Sequence, residues 1–381
     1  MRRCAVFLAC LLTQLLNNVC AGGEGSALFG QWGTETLTVL HEDLWLPESA
    51  LYAEDADLET GKKGHAAFMW GVGVQLTALA AAADVAPDKY AKPMRDYADA
   101  IQVYWAEDKG IEGFDVQPGP RPSDRYYDDN AWLVLALAEV FERTADTRYL
   151  EQAQSTFRFV MSGEDDKLGG GLYWREKHLT SKNTCTNAPA IVSALRLYQL
   201  TKESDYLETA KRPHGWTVKN LQNEEGLFWD NIKLDGSIDR RTYSYNSALM
   251  IRANCLFHEI TGEPAYLTEV QRVARAAEKQ WIRESGAVAD SGRFAHLLLE
   301  SFLVLHRRDQ DFHWHRVVSN CLTHLHDRMR DQNGRYPNHW ERRRRRDAGK
   351  ITLLNQASPA RIYWLAAKEI ATVPEESPGA R

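Results

Sequence analysis

The sequence predicts an all-α fold, an (α/α)6 barrel of six helical hairpins with short β-hairpins in the loops of one face, and three observations carry that prediction. The first is a recurring phrase: a helix end, a short polar turn, then a tyrosine that opens an amphipathic helix. It recurs at 87–90, 146–150, 203–207 and 262–267, so that Tyr90, Tyr149, Tyr206 and Tyr266 stand 59, 57 and 60 residues apart. A near-constant period of this length marks stacked helical hairpins, and Gln310-Asp311-Phe312 reads as a fifth, compressed copy. The second is an alternation of two helix kinds laid out by i, i+3, i+4 apolar spacing. One kind is apolar nearly all round, at about 65–83, 127–144, 184–202, 243–261, 292–308 and 352–371; the other is amphipathic and charged, at about 26–44, 88–105, 147–162, 205–222, 264–282 and 311–331. Six buried helices inside six half-exposed ones make the barrel; an open solenoid of six hairpins fits the same period. The third is loop length. Links from inner to outer helix are a few residues, whereas links from outer to inner are long, near 45–64, 106–126, 163–183, 223–242 and 332–351, with 283–291 the short exception. All the long loops therefore fall on the face where inner helices begin, and long loops on a rigid scaffold are where function sits.

The chain has 381 residues, 44% hydrophobic and 26% charged, which suits one large core. Met1-Arg2-Arg3, an apolar run to Leu16 and the small residues of Val19-Cys20-Ala21 read as a signal peptide over 1–21, cleaved after Ala21. A lipoprotein anchor on Cys20 is the rival reading. The remainder is expected as a single catalytic domain over 22–373 with a disordered tail over 374–381, secreted, periplasmic or on the cell surface. No later stretch is apolar for the ~18 residues of a membrane span. The formal charge of −6 becomes about −8 without the two leader arginines, which gives no attraction to nucleic acid. Three of six cysteines leave with the leader; Cys185, Cys255 and Cys321 remain, allowing at most one disulfide. The expected state is a monomer.

The long loops share a theme of glycine followed by aromatics: Gly113-Phe114-Asp115, Gly171-Leu172-Tyr173-Trp174, Gly226-Leu227-Phe228-Trp229-Asp230 and Gly334-Arg335-Tyr336. Asp235-Gly236 between two strand-like runs signals a two-residue hairpin turn. Aromatic and polar groups gathered at one mouth suit a sugar, whose C–H faces stack on rings while its hydroxyls take hydrogen bonds.

Tyr126-Tyr127-Asp128-Asp129-Asn130-Ala131-Trp132 opens the second inner helix, on the loop-bearing face. One aspartate there serves as a helix cap, but capping does not require two. Consecutive helical residues diverge by ~100°, so adjacent carboxyls can flank a bound substrate. A separation of ~5–5.5 Å suits a retaining glycosidase and ~6.5–9.5 Å an inverting one. Helix-end amides would keep one aspartate ionised while its charge raises the pKa of the other. Other inner-helix starts bring Trp70, Thr184, Asn187, Tyr243, Tyr245, Asn246, Arg293 and Asn355 to the same mouth as candidates for hydroxyl recognition.

Four motifs, Tyr126 to Trp132, Gly170-Gly171-Leu172-Tyr173-Trp174-Arg175-Glu176, Ser181 to Ala190 (SKNTCTNAPA) and Thr242-Tyr243-Ser244-Tyr245-Asn246, resemble glycoside hydrolase family 76 over roughly Ala66 to Leu305. That family holds endo-α-1,6-mannanases of (α/α)6 fold. The resemblance implies a retaining mechanism with Asp128 as nucleophile and Asp129 as acid/base, and no cofactor. Two departures fall near the mouth: Gly292-Arg293-Phe294-Ala295-His296 stands where Gly-Phe-Lys-Gly is expected, and Ser247-Ala248 follows Tyr-Asn in place of Gln-Gly. Taken together, the expected site is Asp128 and Asp129 for catalysis, with Tyr127, Asn130, Trp174, Asn187, Trp229, Asp230, Tyr245 and Asn246 binding α-mannan or a manno-oligosaccharide. Alternatives are an exo-mannosidase, a mannoside transglycosylase, a uronyl hydrolase and an inactive carbohydrate-binding protein. His313-Trp314-His315 and His324-Leu325-His326 lie on an outer helix without an acid cluster and are read as surface or half-packed, not as metal ligands. The arginine run 342–346 reads as a solvated loop. No phosphate loop or GxSxG elbow is present.

Overall fold

The computed structural model describes residues 25–119, 124–342 and 349–370. The expected leader over 1–21, the tail over 374–381 and most of the arginine run lie outside these residues. Among those described, the inner helices are α2 (Met69–Val85), α4 (Tyr127–Thr144), α6 (Thr184–Thr201), α8 (Ser244–Thr261), α10 (Gly292–Asp309) and α12 (Leu353–Glu369). The outer helices are α1 (25–44), α3 (Pro87–Ala100), α5 (Thr147–Met161), α7 (Ser204–Leu221), α9 (Pro264–Trp281) and α11 (His313–His324). Small residues let the inner helices approach closely. A Cβ on Gly73 of α2 would stand 3.1 Å from Leu133 of α4. The outer helices bury one stripe only, as α5 does with Tyr149, Ala153, Thr156, Phe157 and Val160.

A shared turn explains the period. Inner helices α4, α6, α8 and α10 each end on a left-handed residue, Ala145, Lys202, Gly262 and Gln310. In three of them the last helical residue is a threonine, Thr144, Thr201 or Thr261, whose hydroxyl donates to the carbonyl four residues back and accepts the amide two residues on. In the fourth copy the Asp309 carboxylate accepts the amide of Asp311. The turn is thus closed locally, and the next helix starts in the same orientation each time.

The ring closes, which excludes the open solenoid. The inner helices pack in the order α2, α4, α6, α8, α10, α12, and α12 packs back on α2. Arg361 of α12 locks this seam from inside. Its guanidinium donates to Glu139 of α4 at 2.6 Å through both terminal nitrogens, to Glu300 of α10 at 3.0 Å and to the Thr77 carbonyl of α2 at 2.8 Å. At the loop face the strands β3 (Asp55–Asp57) and β9 (Lys350–Thr352) pair antiparallel, joining the first long loop to the last.

The rest of the rim consists of short antiparallel ribbons. Strands β1 (Trp45–Leu46) and β2 (Leu51–Tyr52) form one; β4 (Trp105–Asp108) and β5 (Ile111–Phe114) form another; β6 (Ser181–Asn183), β7 (Trp229–Lys233) and β8 (Ile238–Thr242) form a three-stranded sheet. Several boundaries differ from expectation. Helix α3 stops at Ala100 and tightens into a 3-10 turn, because Trp105–Asp108 is drawn into a hairpin whose two-residue turn, Lys109-Gly110, has positive φ throughout. Helix α11 loosens into a π-helical turn, Leu325–Met329. The Asp235-Gly236 hairpin has a three-residue loop, not two: Lys233 and Ser237 still pair, and Gly236 takes the left-handed position. Cys185, Cys255 and Cys321 are buried free thiols. Among the described residues no helix is long and apolar enough to cross a membrane.

Candidate active site

The aspartate pair is set by a junction of two loops. Tyr126 is extended and bridges Arg175, the Tyr127 amide donates to the Trp174 carbonyl at 3.0 Å, and the Glu176 amide donates to the Arg125 carbonyl at 2.9 Å. The loop before α6 is therefore zipped onto the start of α4, and Trp174 stands directly beside the pair. From Trp174 the ribbon continues through the Tyr173–Lys182 bridge into β6, β7 and β8.

The two carboxyls, both half-buried, have different surroundings. Asp128 accepts the amide of Asp129 at 3.0 Å on one oxygen; its other oxygen accepts the Trp174 indole N–H at 2.8 Å and the Cys185 thiol at 3.6 Å. Burial pushes Asp128 up to about 7, against the pull of these donors, chiefly Trp174. Asp129 accepts no hydrogen bond from any described residue. Burial, with the adjacent Asp128 charge added, drives its carboxyl well above the ordinary range. No lysine or arginine forms an ion pair with either among the described residues. The arrangement favours one ionised and one protonated carboxyl side by side.

A helix register organises the mouth. Counting from the first residue of each inner helix, the second position is Trp70 in α2, Asp128 in α4, Cys185 in α6, Tyr245 in α8 and Arg293 in α10. These side chains converge. Tyr245 stacks on Phe294 with ring centroids 4.2 Å apart, Trp70 packs against both, at 5.7 Å from Phe294 and 6.3 Å from Tyr245, and Arg293 lies over Trp70. Because α2 and α8 face each other across the ring, this stack closes the barrel centre and forms the floor below the carboxyls.

The fourth position does something else. Asn130 of α4 accepts the Phe114 amide at 2.7 Å and donates to the Phe114 and Tyr126 carbonyls; Asn187 of α6 treats Leu172 and Asn183 the same way. Ser247 of α8 accepts the Phe228 amide, and Gln356 of α12 clamps both backbone groups of Tyr336. These residues pin the glycine-aromatic loops to the barrel.

Of the residues expected to bind sugar, Trp174 stands at the mouth, 39% exposed. Tyr245 lies in the floor with its hydroxyl against the Cys185 thiol. Asp230 is within electrostatic reach of both, its carboxyl raised by burial, and the buried Asn246 lies next to it. The other four have their side chains engaged with the scaffold. Asn130 and Asn187 are fully buried with their amides spent on backbone. The Tyr127 ring is turned outward, stacked on Phe159 and against Gly163. The β7–β8 pairing slips here, with Arg240 and Arg241 of β8 opposite Asp230 alone, and the Trp229 ring packs with Ile232 and Ile238 on the cluster around Trp216, covered by Arg240. Thr184 likewise donates to the Trp229 carbonyl. Sequence reasoning missed Cys185, Phe294 and Glu54, the last accepting the Phe68 amide and raised by burial despite Arg293 nearby. The shared second-position register would have found Cys185; nothing local marks Glu54. Of the two histidine pairs set aside, His313 binds Glu278 and His326 stacks on Trp32. Among the described residues no cluster of His, Cys, Asp or Glu could hold a metal.

An (α/α)6 barrel with paired carboxyls of divided protonation at its loop face has the architecture of a glycoside hydrolase. The sequence model of glycosyl hydrolase family 76 matches residues 50–304, and the chain belongs to that family. Among solved structures, it is similar to a GH76 α-mannanase from Bacteroides thetaiotaomicron, at 29% identity and TM-score 0.84, over 89% of this chain and 95% of that one. A family 76 glycoside hydrolase from a bovine strain of the same species matches at 26% and 0.83, over 89% and 77%. An inactive variant of an α-1,6-mannanase from Salegentibacter sp., with two consecutive aspartates replaced by asparagine and α-1,6-mannotriose bound, shares the fold at 22% and 0.78, over 89% and 99%. Comparison with curated proteins gave no match.

Proposed function

We propose that this glycoside hydrolase cleaves α-1,6-mannosidic linkages in mannan with retention of configuration. The observation that carries the reading is the unequal treatment of the two carboxyls: among the described residues Asp128 has three donors and Asp129 has none. Asp128, the better stabilised anion, attacks the anomeric carbon from the face opposite the leaving group. Asp129, kept protonated by its neighbour's charge, gives its proton to the departing glycosidic oxygen. A covalent mannosyl-enzyme results. Asp129, now a carboxylate, takes a proton from the incoming water, which displaces Asp128 and restores both groups. The Asp128 charge acts on the Asp129 carboxyl, and two acids on consecutive residues of one helix end suit the ~5–5.5 Å spacing of retaining enzymes.

For the substrate, support comes from the similar α-mannanase and from the neighbour crystallised with α-1,6-mannotriose. The exposed Trp174 ring beside the carboxyls offers a face for a pyranose. The test is reducing-sugar release from linear α-1,6-mannan by the enzyme and by Asp128→Asn and Asp129→Asn. Each substitution is expected to lower kcat by about 10³-fold or more with unchanged thermal melting; full activity in either variant refutes the assignment. Product lengths separate endo from exo action. Export after Ala21 is part of the proposal, and N-terminal sequencing of the mature protein checks it.

A further inference from the structure

The geometry points to Cys185 as a positioning residue for the nucleophile: its S–H donates to the same Asp128 oxygen that takes the Trp174 indole N–H, and so helps hold that carboxyl ionised and in one rotamer. The inference rests on the reading of Asp128 as nucleophile. Its basis is an imbalance of charge around that group. Asp129 on the same helix, the Tyr245 hydroxyl from α8 and the Tyr126 hydroxyl at the start of α4 are within electrostatic reach of Asp128, and Asp230 from β7 is within reach of the Cys185 thiol beside it. No described cation forms an ion pair with it. The anion therefore depends on neutral donors: one backbone amide at 3.0 Å, one indole at 2.8 Å and one thiol at 3.6 Å.

Cys185 is 4% exposed, so its thiol donates from a site closed to bulk water. Burial and the adjacent Asp128 and Asp230 charges keep it protonated, hence a donor at every working pH. The Tyr245 hydroxyl lies against the sulfur, linking the donor to the aromatic floor. A thiol is a weak donor, which suits a nucleophile: it orients the carboxylate without drawing off the electron density that attacks the sugar.

Three variants separate donation from packing. Cys185→Ala and Cys185→Val lack a donor, the second with the volume retained; Cys185→Ser keeps one. Removing a donor to the charged form raises the carboxyl's pKa, so the acid limb of kcat/KM moves to higher pH. For Ala and Val it is expected to move up by about half a pH unit, with plateau kcat down by about fivefold and KM little changed. Ser is expected to stay near the wild-type profile. In parallel, Asp128→Gly is assayed on an aryl α-1,6-mannobioside with sodium azide, which should restore turnover and yield a β-mannosyl azide. If azide rescues and the Val and Ser profiles both coincide with wild type, the role of Cys185 is overturned while the nucleophile stands. If Ser shifts as Val does, the residue acts by packing and the inference is likewise refuted. If azide fails to rescue, the nucleophile reading falls and takes this one with it.

Discussion

Asp128 and Asp129 are chemically identical and one residue apart, so any difference between them must come from what each side chain meets. Asp128 meets Trp174, Cys185 and an amide; Asp129 meets the charge of Asp128. A pH profile follows. With Asp128 pushed up to about 7 and Asp129 held well above the ordinary carboxylate range by burial and the Asp128 charge, kcat/KM should fall below about pH 7 as Asp128 takes a proton, and fall on the alkaline side as Asp129 loses one. The two apparent values belong to the coupled pair. An acid limb near pH 4 would mean that burial does not act on these groups. Trp174→Phe keeps the ring and deletes the N–H; kcat/KM should drop by about tenfold and the acid limb should move up. Asp129→Asn should be least impaired on aryl mannosides with good leaving groups, because these need no proton for the first step; equal loss on all substrates argues against the acid role. The pair itself was legible in the sequence, since two acids at one helix mouth exceed what capping needs. The donors were not, because Trp174 lies 46 residues away and Cys185 lies 57 away, and only the folded barrel brings them to Asp128.

At the scale of the element, α4, α6 and α8 each spend their second residue on the mouth and their fourth on the wall. Asn187 illustrates the difference. Sequence reasoning took it for a sugar contact because it opens a buried helix on the loop face, yet at the fourth position its amide turns back to hold Leu172, two residues before Trp174. Asn187→Ala should therefore lower stability by about 1–3 kcal/mol by orphaning buried backbone groups, with a clear fall in melting temperature. A sugar-contact role would raise KM and leave melting unchanged. Helix positions were largely readable from apolar spacing, and the threonine-closed turns account for the constant period that betrayed them. What spacing did not encode was rotation: a 3.6-residue repeat says that a face is buried, and which of two adjacent polar residues points inward depends on the neighbouring loop. The same limit applies to Trp229, whose ring packs on the Trp216 cluster next to a point where one extra residue in β8 shifts the strand pairing.

Closure of the ring is a property of the whole molecule, and period alone is silent on it. Helices α2 and α12 are the most distant inner helices in sequence and yet pack together, with Arg361 holding four inner helices through Glu139, Glu300 and the Thr77 carbonyl. Removing its charge by Arg361→Met leaves the buried Glu300 and the half-buried Glu139 short of a partner, and should cost about 3–5 kcal/mol, read by urea unfolding. Burial alone would raise Glu300, but Arg252 and Arg361 outweigh it and hold the carboxyl at about 2. Its contribution to stability is therefore complete above the usual glutamate value and is lost as pH falls through about 4.5 toward 2, a loss that Glu300→Gln should abolish. Under the proposed mechanism this closed frame sets which carboxyl meets which face of the sugar, and the stereochemistry of the product reports that directly. Proton NMR during the first turnovers on α-1,6-mannotetraose should show the α-anomer of the new reducing end forming first, with the β-anomer appearing only at the rate of mutarotation; a β-anomer formed first would contradict attack by Asp128 and the account built on it.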